Sequence, residues 1–367
     1  MKGVILVENS FVHPYMPNSV PENKKAMLDE LGINSVEDIY KSIIPDELLY
    51  KERLDIPEPI RSEYELKRHV MGILNRDITT EEYTSFLGAG CYKHQVPAIC
   101  DEINSRGEFL TAYCGDTYSD HGKMQAIFEY TSMMGELLDT DVVSYTTYDG
   151  GQAVASSLRM AVRAVREKGM AGKVILVPKT MNPEIYSQVV QYCRNVAEVR
   201  KIAYEPETGL MDLEELKEQL AKKNVAAVFF ENPTYLGNFE TRGEEIAKLA
   251  HDAGAYCVVQ TEVAALGIME SPVNQGADIV CGDIQPLGMH IQFGGGQAGF
   301  IACNQNMDLV EQFPTYMYGI TETEKEDTYG WGRAMNYRSS HGSRENAKEY
   351  FGTETGLWAI TAGVYLA

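Results

Sequence analysis

The feature that most constrains the fold of this chain is an alternation of apolar and amphipathic segments between about residues 81 and 310. Short apolar runs such as "VAAVFF" (225–230) and "AYCVVQ" (255–260) are separated by helix-like segments such as "RGEEIAKLAHDAG" (242–254). Short strands with helices between them are typical of βαβ units, whose parallel strands are covered on both faces. The pattern predicts an α/β domain with a mostly parallel sheet. Any ligand is expected at the carboxyl ends of its strands.

The segments on either side of this domain have a different character. Residues 1–80 are polar and carry helix signals, among them Ser19 and Glu22 in capping-box spacing and Gly32 as a stop. We interpret them as a helical arm. Residues 311–367 begin as a polar, loop-like stretch and end in the apolar run "GLWAITAGVYLA". We interpret them as the start of a C-terminal region whose small domain is incomplete.

Charge and cysteine usage exclude several classes of partner and site. The chain has 53 Asp and Glu against 32 Lys and Arg, a net charge of −21, so neither nucleic acid nor an anionic membrane is an expected partner. The N-terminus lacks signal-peptide features, and the longest uncharged stretch, 284–307, is broken by glycines and glutamines. Seven scattered cysteines without CxxC pairs indicate reduced thiols in a cytoplasmic protein, and no metal site is predicted.

A glycine turn follows the first predicted strand of the central domain. The stretch "VVSYTTYDGGQAVASSLRMAVRAVREKG" (142–169) predicts a strand, a tight turn at Tyr148, Asp149, Gly150 and Gly151, and a long helix. Backbone N–H groups and the dipole at such a helix start favour an anion, commonly a phosphate. A turn that uses its glycines for shape alone is an equally good interpretation, because neither a GxGxxG pattern nor a Walker lysine is present.

Two turn-rich segments, "FLGAGCYKHQVP" (86–97) and "TAYCGDTYSDHG" (111–122), carry polar aromatic and imidazole groups. The groups that could line a ligand or take part in proton transfer are Tyr92 and His94 in the first segment and Tyr113, Tyr118 and His121 in the second. From the residues alone, a packing role for His94 and a plain surface loop for the second segment are favoured. Two carboxylates with one histidine in that loop are weak evidence for a metal.

The most specific signal is an absence. From Leu249 to Glu324 the sequence contains no lysine and no arginine, although this window includes "GDIQPLGMHIQFGGG" (282–296). In α/β enzymes that use pyridoxal phosphate (PLP), this region holds the lysine that forms a Schiff base with the cofactor. Because a Schiff base needs a primary amine, no neighbouring residue can substitute. The chain is therefore not expected to anchor PLP there, and no catalytic residue is assigned to it.

Several segments together resemble the alpha subunit (subunit 1) of glycine dehydrogenase (decarboxylating), the P-protein of the glycine cleavage system in its two-subunit form. They include "YMPNSVPENKKAMLDELGINSVEDIY", "FLGAGCYKHQVPAICDEI", "DVVSYTTYDGGQA" and "FGGGQAGF". The resemblance runs from roughly residue 15 to the C-terminus. The GAG-x-Y-x-H-x-x-P run and the YDG turn are its most specific parts.

The resemblance implies a type I PLP-enzyme fold, like that of aspartate aminotransferase, in an α2β2 assembly. PLP is then expected on a lysine-bearing beta-type homologue, which this chain helps to shape with residues such as Tyr92, His94 and Tyr113. The family decarboxylates glycine and passes the aminomethyl group to a lipoyl carrier protein. By this resemblance the chain is a subunit of an oxidoreductase without its own Schiff-base lysine.

Two segments depart from the family pattern. The loop after "TAY" reads "CGDTYSDHG" where the family has a sequence like TPYQPEISQG, and "RENAKEYFGTETG" (344–356) replaces a family stretch that reads REKATSNICTNQ. The chain also ends at Ala367, where relatives continue into a small domain. The predicted partner-facing loop residues are Gly294, Gly295, Gly296, Arg344 and Glu345.

Three functional hypotheses follow from these observations. The first is the glycine dehydrogenase-like subunit described above. The second is a subunit of a paralogous PLP complex that acts on another amino acid, suggested by the two rewritten segments. The third is a binding or regulatory pseudoenzyme that kept the fold after losing catalysis. A homo-oligomer is also compatible with the sequence.

Overall fold

The apolar runs of the central region form strands, and the amphipathic segments between them form helices. The computed structural model describes residues 12–50, 52, 54–86, 92–110, 121–292, 296–350 and 354–367. The strands are β1 (Val142–Val143), β2 (Val174–Pro178), β3 (Glu198–Ile202), β4 (Val225–Asn232), β5 (Tyr256–Thr261), β6 (Ile279–Asp283), β7 (Gly299–Cys303), β8 (Met317–Glu322) and β9 (Tyr329–Ala334).

The α-helices alternate with these strands in the middle of the chain and lie before and after them elsewhere. They are α1 (Pro21–Leu31), α2 (Glu37–Ile43), α3 (Glu63–Leu74), α4 (Ala98–Asn104), α5 (His121–Leu138), α6 (Gly150–Glu167), α7 (Pro183–Cys193), α8 (Leu213–Leu220), α9 (Gly243–Asp252), α10 (Met307–Val310), α11 (Ser340–Ser343) and α12 (Gly356–Leu366). No helix in the described ranges is both long and apolar enough to cross a membrane.

Strands β1 to β7 form one sheet in the order β1-β7-β6-β5-β4-β2-β3. Neighbours from β3 to β6 pair in parallel, whereas β7 runs antiparallel to both β6 and β1. The predicted α/β class with a mostly parallel sheet is thereby confirmed. Because parallel strands share their direction, the carboxyl ends of β2, β4, β5 and β6 meet at one edge of the sheet. Helix α6 follows β1 and begins at that same edge.

Alternate residues of each central strand enter two separate cores on opposite faces of the sheet. Val228 and Phe230 of β4 pack in one core with residues of α5, α8, α9 and α12. Ala227 and Phe229 of the same strand pack in the other core with α6 and α7. This two-residue alternation is the physical reason that both faces of the strand read as apolar in the sequence. Burial of each such Phe, Leu, Ile or Val side chain stabilises the folded state by about 1.5–3 kcal/mol relative to leaving it exposed.

The chain divides into two units, Met1–Thr79 and Thr80–Ala367. In the first, none of the residues of α1, α2 or α3 is buried. Gly32, at a φ of 67°, ends α1 as the sequence predicts. The predicted capping box at Ser19 is wrong, because the N-cap of α1 is Val20 and its side chain makes no capping bond. Pro21 starts the helix one residue later, and the Ser19 hydroxyl instead donates to the carbonyl of Met16.

The second unit contains a β-hairpin that the sequence interpretation missed. The stretch after residue 311, expected to be loop-like, includes the antiparallel hairpin of β8 and β9. Its strands contain Gly319, Gly330 and Gly332 and are mostly not buried, so they lack the apolar alternation that identifies a strand. After the hairpin, the apolar run at the C-terminus forms α12, which packs against α4 and α5.

Candidate functional site

A cavity of about 100 Å³ opens at the carboxyl edge of the sheet, where ligands of parallel α/β proteins are found. Apart from Tyr92, its lining residues lie at the carboxyl ends of β4, β5 and β6 or in the segments that follow β2, β4 and β5. They are Tyr92, Asn182, Glu231, Pro233, Thr234, Tyr235, Gln260, Thr261, Glu262 and Asp283. None of these lining residues is a lysine or an arginine. A larger hollow of about 510 Å³ is lined by residues 80–85, Tyr92, Lys93 and Ile291, most of which are exposed.

Two glutamates make the walls of this cavity acidic. Glu231, next to the end of β4, is 4 % exposed and accepts the backbone N–H of Asn182 at 3.1 and 3.2 Å. Burial raises the pKa of Glu231 to about 7. Glu262, directly after β5, accepts the N–H of Ala264 at 3.3 Å, and burial raises its pKa as well. The Glu231 side chain is therefore able to hold or release a proton near neutral pH.

A third carboxylate, Asp283, lies between the end of β6 and the start of α6. Its Oδ2 accepts the N–H of Gly150 at 2.8 Å, and its Oδ1 accepts the N–H groups of Gln285 at 2.8 Å and Ala298 at 3.3 Å. Burial raises the pKa of Asp283 to about 7, although these three donors favour the charged form. Gly150 permits the approach, because a Cβ at that position would lie 3.1 Å from the Cβ of Asp283.

The turn predicted at Tyr148–Gly151 does begin a long helix, and its first donors are already used within the chain. The Asp149 side chain caps α6 by accepting the N–H of Gln152 at 2.6 Å. The Gln152 side chain accepts the N–H of Tyr148, the residue before the N-cap, at 2.7 Å. With Gly150 donating to Asp283, two of the N–H groups at this helix start point at carboxylates of the protein itself.

The lysine-free stretch after β6 holds the loop that carries Tyr92. Gln285 is fully buried, and its Oε1 accepts the N–H of Tyr92 at 3.2 Å. Its Nε2 donates to the carbonyls of Tyr92 at 3.2 Å and Met289 at 3.0 Å. Tyr92 thereby reaches the cavity lining. His94 is not among the lining residues, and its Nδ1 lies 3.0 Å from the carbonyl oxygen of Tyr92.

Several predicted site residues lie elsewhere or outside the description. Tyr113, Tyr118, Gly294 and Gly295 lie outside the described residues. His121 begins α5, and the structure does not describe its side chain. Gly296 adopts a φ of 75°.

Arg344 and Glu345 are exposed in a short turn after α11. Four residues beyond Glu345, Glu349 pairs with Arg159 at 2.5 Å and with Arg163 at 2.8 Å, in the second half of α6. At 1.5 Å per residue, those arginines lie about 14 to 20 Å along the helix from Gly150. Glu349 of the rewritten 344–356 segment therefore packs well away from the Asp283 end of α6. Thr355 of the same segment lies near that end, because its hydroxyl donates to the carbonyl of Thr147 at 3.0 Å.

Sequence reasoning missed the acidic and amide residues of the cavity. The signal was present, because Glu231, Glu262 and Asp283 each end or directly follow an apolar strand in "VFFEN", "VVQTE" and "IVCGD". Within the described ranges, no group of three or more His, Cys, Asp or Glu residues is placed to hold a metal ion. The five cysteines described there are free and buried.

Comparison with known proteins identifies the family to which this chain is similar. Residues 13–367 match the family model described as "Glycine cleavage system P-protein". A "Probable glycine dehydrogenase (decarboxylating) subunit 1" of Staphylothermus marinus is 34 % identical over 366 residues, covering 97 % of this chain and 76 % of the relative. The protein of the same description from Carboxydothermus hydrogenoformans is 36 % identical over 354 residues, covering 96 % and 77 %.

Two solved structures are also similar to this chain, one in sequence and fold and the other in fold alone. The crystal structure of glycine decarboxylase (P-protein) of the glycine cleavage system, in inhibitor-bound form, superposes with a TM-score of 0.78 at 30 % identity. That match covers 97 % of this chain and 76 % of the solved one. A sphingosine-1-phosphate lyase of Burkholderia pseudomallei superposes with a TM-score of 0.54 at 14 % identity, covering 88 % and 72 %, which shows a shared fold alone.

Proposed function

The chain belongs to the glycine cleavage system P-protein family, and on that premise we propose that it is the alpha-type subunit of a glycine dehydrogenase (decarboxylating) complex. The observation that carries the proposal is the match to relatives described as subunit 1 over 96 to 97 % of the chain. The name subunit 1 implies a second subunit. The lysine-free carboxyl edge of the sheet supports a division of labour in which the partner carries the Schiff-base lysine.

The family is PLP-dependent, and the residues at the carboxyl edge of this chain do not fit that cofactor. The cavity lining contains no lysine, and carboxylates occupy the donors at the start of α6. We therefore assign PLP to the lysine-bearing beta-type partner in an α2β2-like assembly. When bound there, PLP supplies the electron sink for decarboxylation of glycine, with transfer of the aminomethyl group to a lipoyl carrier protein.

The contribution of this chain is to position side chains at the partner's active site. The loop with Tyr92 and His94 is the best supported candidate, since the buried Gln285 holds the Tyr92 backbone by two hydrogen bonds. Tyr92 itself is 42 % exposed, so its ring is available to a neighbouring surface. Further proposed partner-facing residues are Tyr113, Tyr118, His121, Gly294, Gly295, Gly296, Arg344 and Glu345.

The helices of the first unit support a covering partner. Their apolar side chains are exposed, and Leu31, Ile43 and Tyr64 are each more than 60 % exposed. Leaving this much apolar surface in water forgoes about 25 cal/mol for each Å² that a partner would bury. We propose that these helices pack on the partner subunit in the assembled complex, which we place in the cytoplasm.

The proposal is tested by co-expressing the chain with its lysine-bearing homologue. We expect a stable complex that shows the visible absorbance of a PLP aldimine and releases CO₂ from glycine when the lipoyl carrier is supplied. The chain alone should show no aldimine band. A borohydride-reducible band from the chain alone would contradict the assignment of PLP to the partner. A stable complex that processes another amino acid but not glycine would favour the paralogous reaction instead.

A further inference from the structure

The start of α6 has the features of an anion site. It lies at the carboxyl edge of the sheet, where the positive end of the helix dipole and free N–H groups favour negative charge. The Gly150 N–H points at Oδ2 of Asp283 at 2.8 Å, although 133 residues separate the two in sequence. The carboxylate therefore arrives at the helix from another strand and is not part of the turn itself.

Three backbone N–H groups converge on this one carboxylate. They belong to Gly150 at the helix start, Gln285 in the loop after β6, and Ala298 just before β7. Convergent donors from separate segments are the arrangement that holds the oxygens of a bound phosphate or carboxylate. Here the oxygens belong to the protein.

Ordinary helix capping does not account for Asp283. Asp149 already caps α6 through the Gln152 N–H at 2.6 Å, and the Gln152 side chain accepts the N–H of Tyr148. Asp283 is thus a second carboxylate at a helix start that has its cap, and the charge of Asp149 disfavours the ionised form of Asp283. With two carboxyl groups already at one helix start, a third acidic group there would be disfavoured by electrostatic repulsion.

The cavity next to Asp283 disfavours a phosphate for a further reason. Glu231 and Glu262 line it together with Asp283, and the lining set includes neither lysine nor arginine. A phosphate ester placed there would meet three buried carboxyl groups and no cation, so its charge would have no partner in a partly desolvated environment.

We propose that the carboxyl group of Asp283 occupies the phosphate position at the start of α6, so that PLP and other phosphate esters are kept off this chain independently of the missing lysine. The proposal deepens the proposed function by naming the residue that excludes the cofactor. Restoring a lysine after β6 would then not be sufficient for PLP to bind.

The experiment uses the full chain without its partner and two probes, inorganic phosphate and PLP. Wild type is compared with Asp283→Ala and Asp283→Ser at constant ionic strength, with chloride as the reference salt. Binding is read by the shift in melting temperature and by hydrogen exchange of the peptide that covers residues 149–153. We expect no saturable binding to wild type. In the variants we expect saturable phosphate binding, with an apparent Kd at least tenfold below the highest phosphate concentration that leaves wild type unbound. We also expect the Gly150 amide of the variants to exchange more slowly when phosphate is added.

The matched control is Asp278→Ala at the opposite end of β6. Asp278 also accepts a backbone N–H, that of Cys257 at 2.7 Å, and it contacts His251 at 2.8 Å. Its removal is expected to lower stability without creating a phosphate site.

Two outcomes overturn the proposal. The first is protection of residues 149–153 by phosphate or PLP in the wild type. The second is a folded Asp283 variant that binds no better than Asp278→Ala. A folded protein from either substitution, Ala or Ser, is sufficient for this comparison. The experiment measures neither assembly nor activity. Its result would therefore stand even if the chain did not form the proposed complex with a partner subunit.

Discussion

Helix α3 in the first unit and helix α6 in the second both begin with a side chain that accepts an N–H of the first turn. Ser62 accepts from Glu65 at 3.3 Å, and Asp149 accepts from Gln152 at 2.6 Å. Fourteen of the eighteen residues of α6 are buried between the sheet and its neighbours. Not one of the twelve residues of α3 is buried.

The difference shows that local helix signals do not determine how a helix is stabilised. Most of the stability of a protein helix comes from tertiary packing of one face and not from its own propensity. Helix α6 has that packing within its own chain, whereas α3 shows apolar residues such as Leu66 and Ile73 to solvent. The first unit is therefore expected to gain its stability on assembly.

The largest expected effect comes from replacing one leucine in each of the two helices by alanine. Leu158 of α6 is fully buried, and Leu66 of α3 is 46 % exposed. Leu158→Ala is expected to lower the free energy of unfolding by about 2–5 kcal/mol through lost burial and the cavity left behind. Leu66→Ala should lower it by less than about 1 kcal/mol in the isolated chain. Urea unfolding of both variants measures the difference, and a loss at Leu66 equal to that at Leu158 would break the comparison.

The next effect concerns the buried carboxylate Glu231 and pH. Its folded-state pKa is raised from 4.5 to about 7, so the folded chain keeps a proton that the unfolded chain has released over this range. Its contribution to stability is therefore present below pH 4.5 and is lost as pH rises to 7, by up to about 3 kcal/mol. Glu231→Gln cannot titrate, so its stability relative to wild type should rise between pH 4.5 and 7 and stay constant above.

Chemical unfolding at a series of pH values measures this effect. Glu65→Gln, on the exposed face of α3, serves as the control carboxylate outside the sheet. Parallel stability curves for wild type and Glu231→Gln across the whole range would show that burial of Glu231 has no energetic consequence.

Replacing two glycines by alanine, one in each unit, is expected to change the free energy of unfolding in opposite directions. A Cβ at Gly282 of β6 would lie 2.3 Å from the backbone oxygen of Thr261 and 2.9 Å from the Phe300 ring, whereas a Cβ at Gly72 of α3 meets nothing within 4 Å. Gly282→Ala should therefore destabilise by about 1–3 kcal/mol or more. Gly72→Ala should stabilise α3 by about 0.5–1 kcal/mol. Urea unfolding followed by circular dichroism measures both changes in stability. A change in the same direction at both positions would contradict the packing difference.

The smallest effect comes from removing the two caps. Asp149→Ala is expected to cost about 1 kcal/mol of global stability, because α6 unfolds only with the sheet. Ser62→Ala should cost about 0.5 kcal/mol, visible as faster hydrogen exchange in residues 62–66 and not in global unfolding. A global loss from Ser62→Ala would mean that α3 is coupled to the core in the isolated chain.

Much of the fold could be predicted from the sequence because its signals are local. The runs "VAAVFF" and "AYCVVQ" form β4 and β5, and the helix after the YDG turn begins at Gly150, as expected. Hairpin β8–β9 was missed, since its glycine-rich strands carry no apolar alternation. The cavity was missed because its carboxylates lie on different strands, and no local pattern shows that they meet.

The sequence by itself determined the α/β class, the family and the absence of lysine from residues 249–324, since periodicity, motif and residue type can all be read along the chain. Only the tertiary structure decided which groups meet at the carboxyl edge. Asp283 reaches the N–H of Gly150 across 133 residues, and Gln285 reaches Tyr92 across 193. Parallel strands bring their carboxyl ends to one edge whatever their distance in sequence, so the chemistry of that edge depends on strand order and not on neighbouring residues.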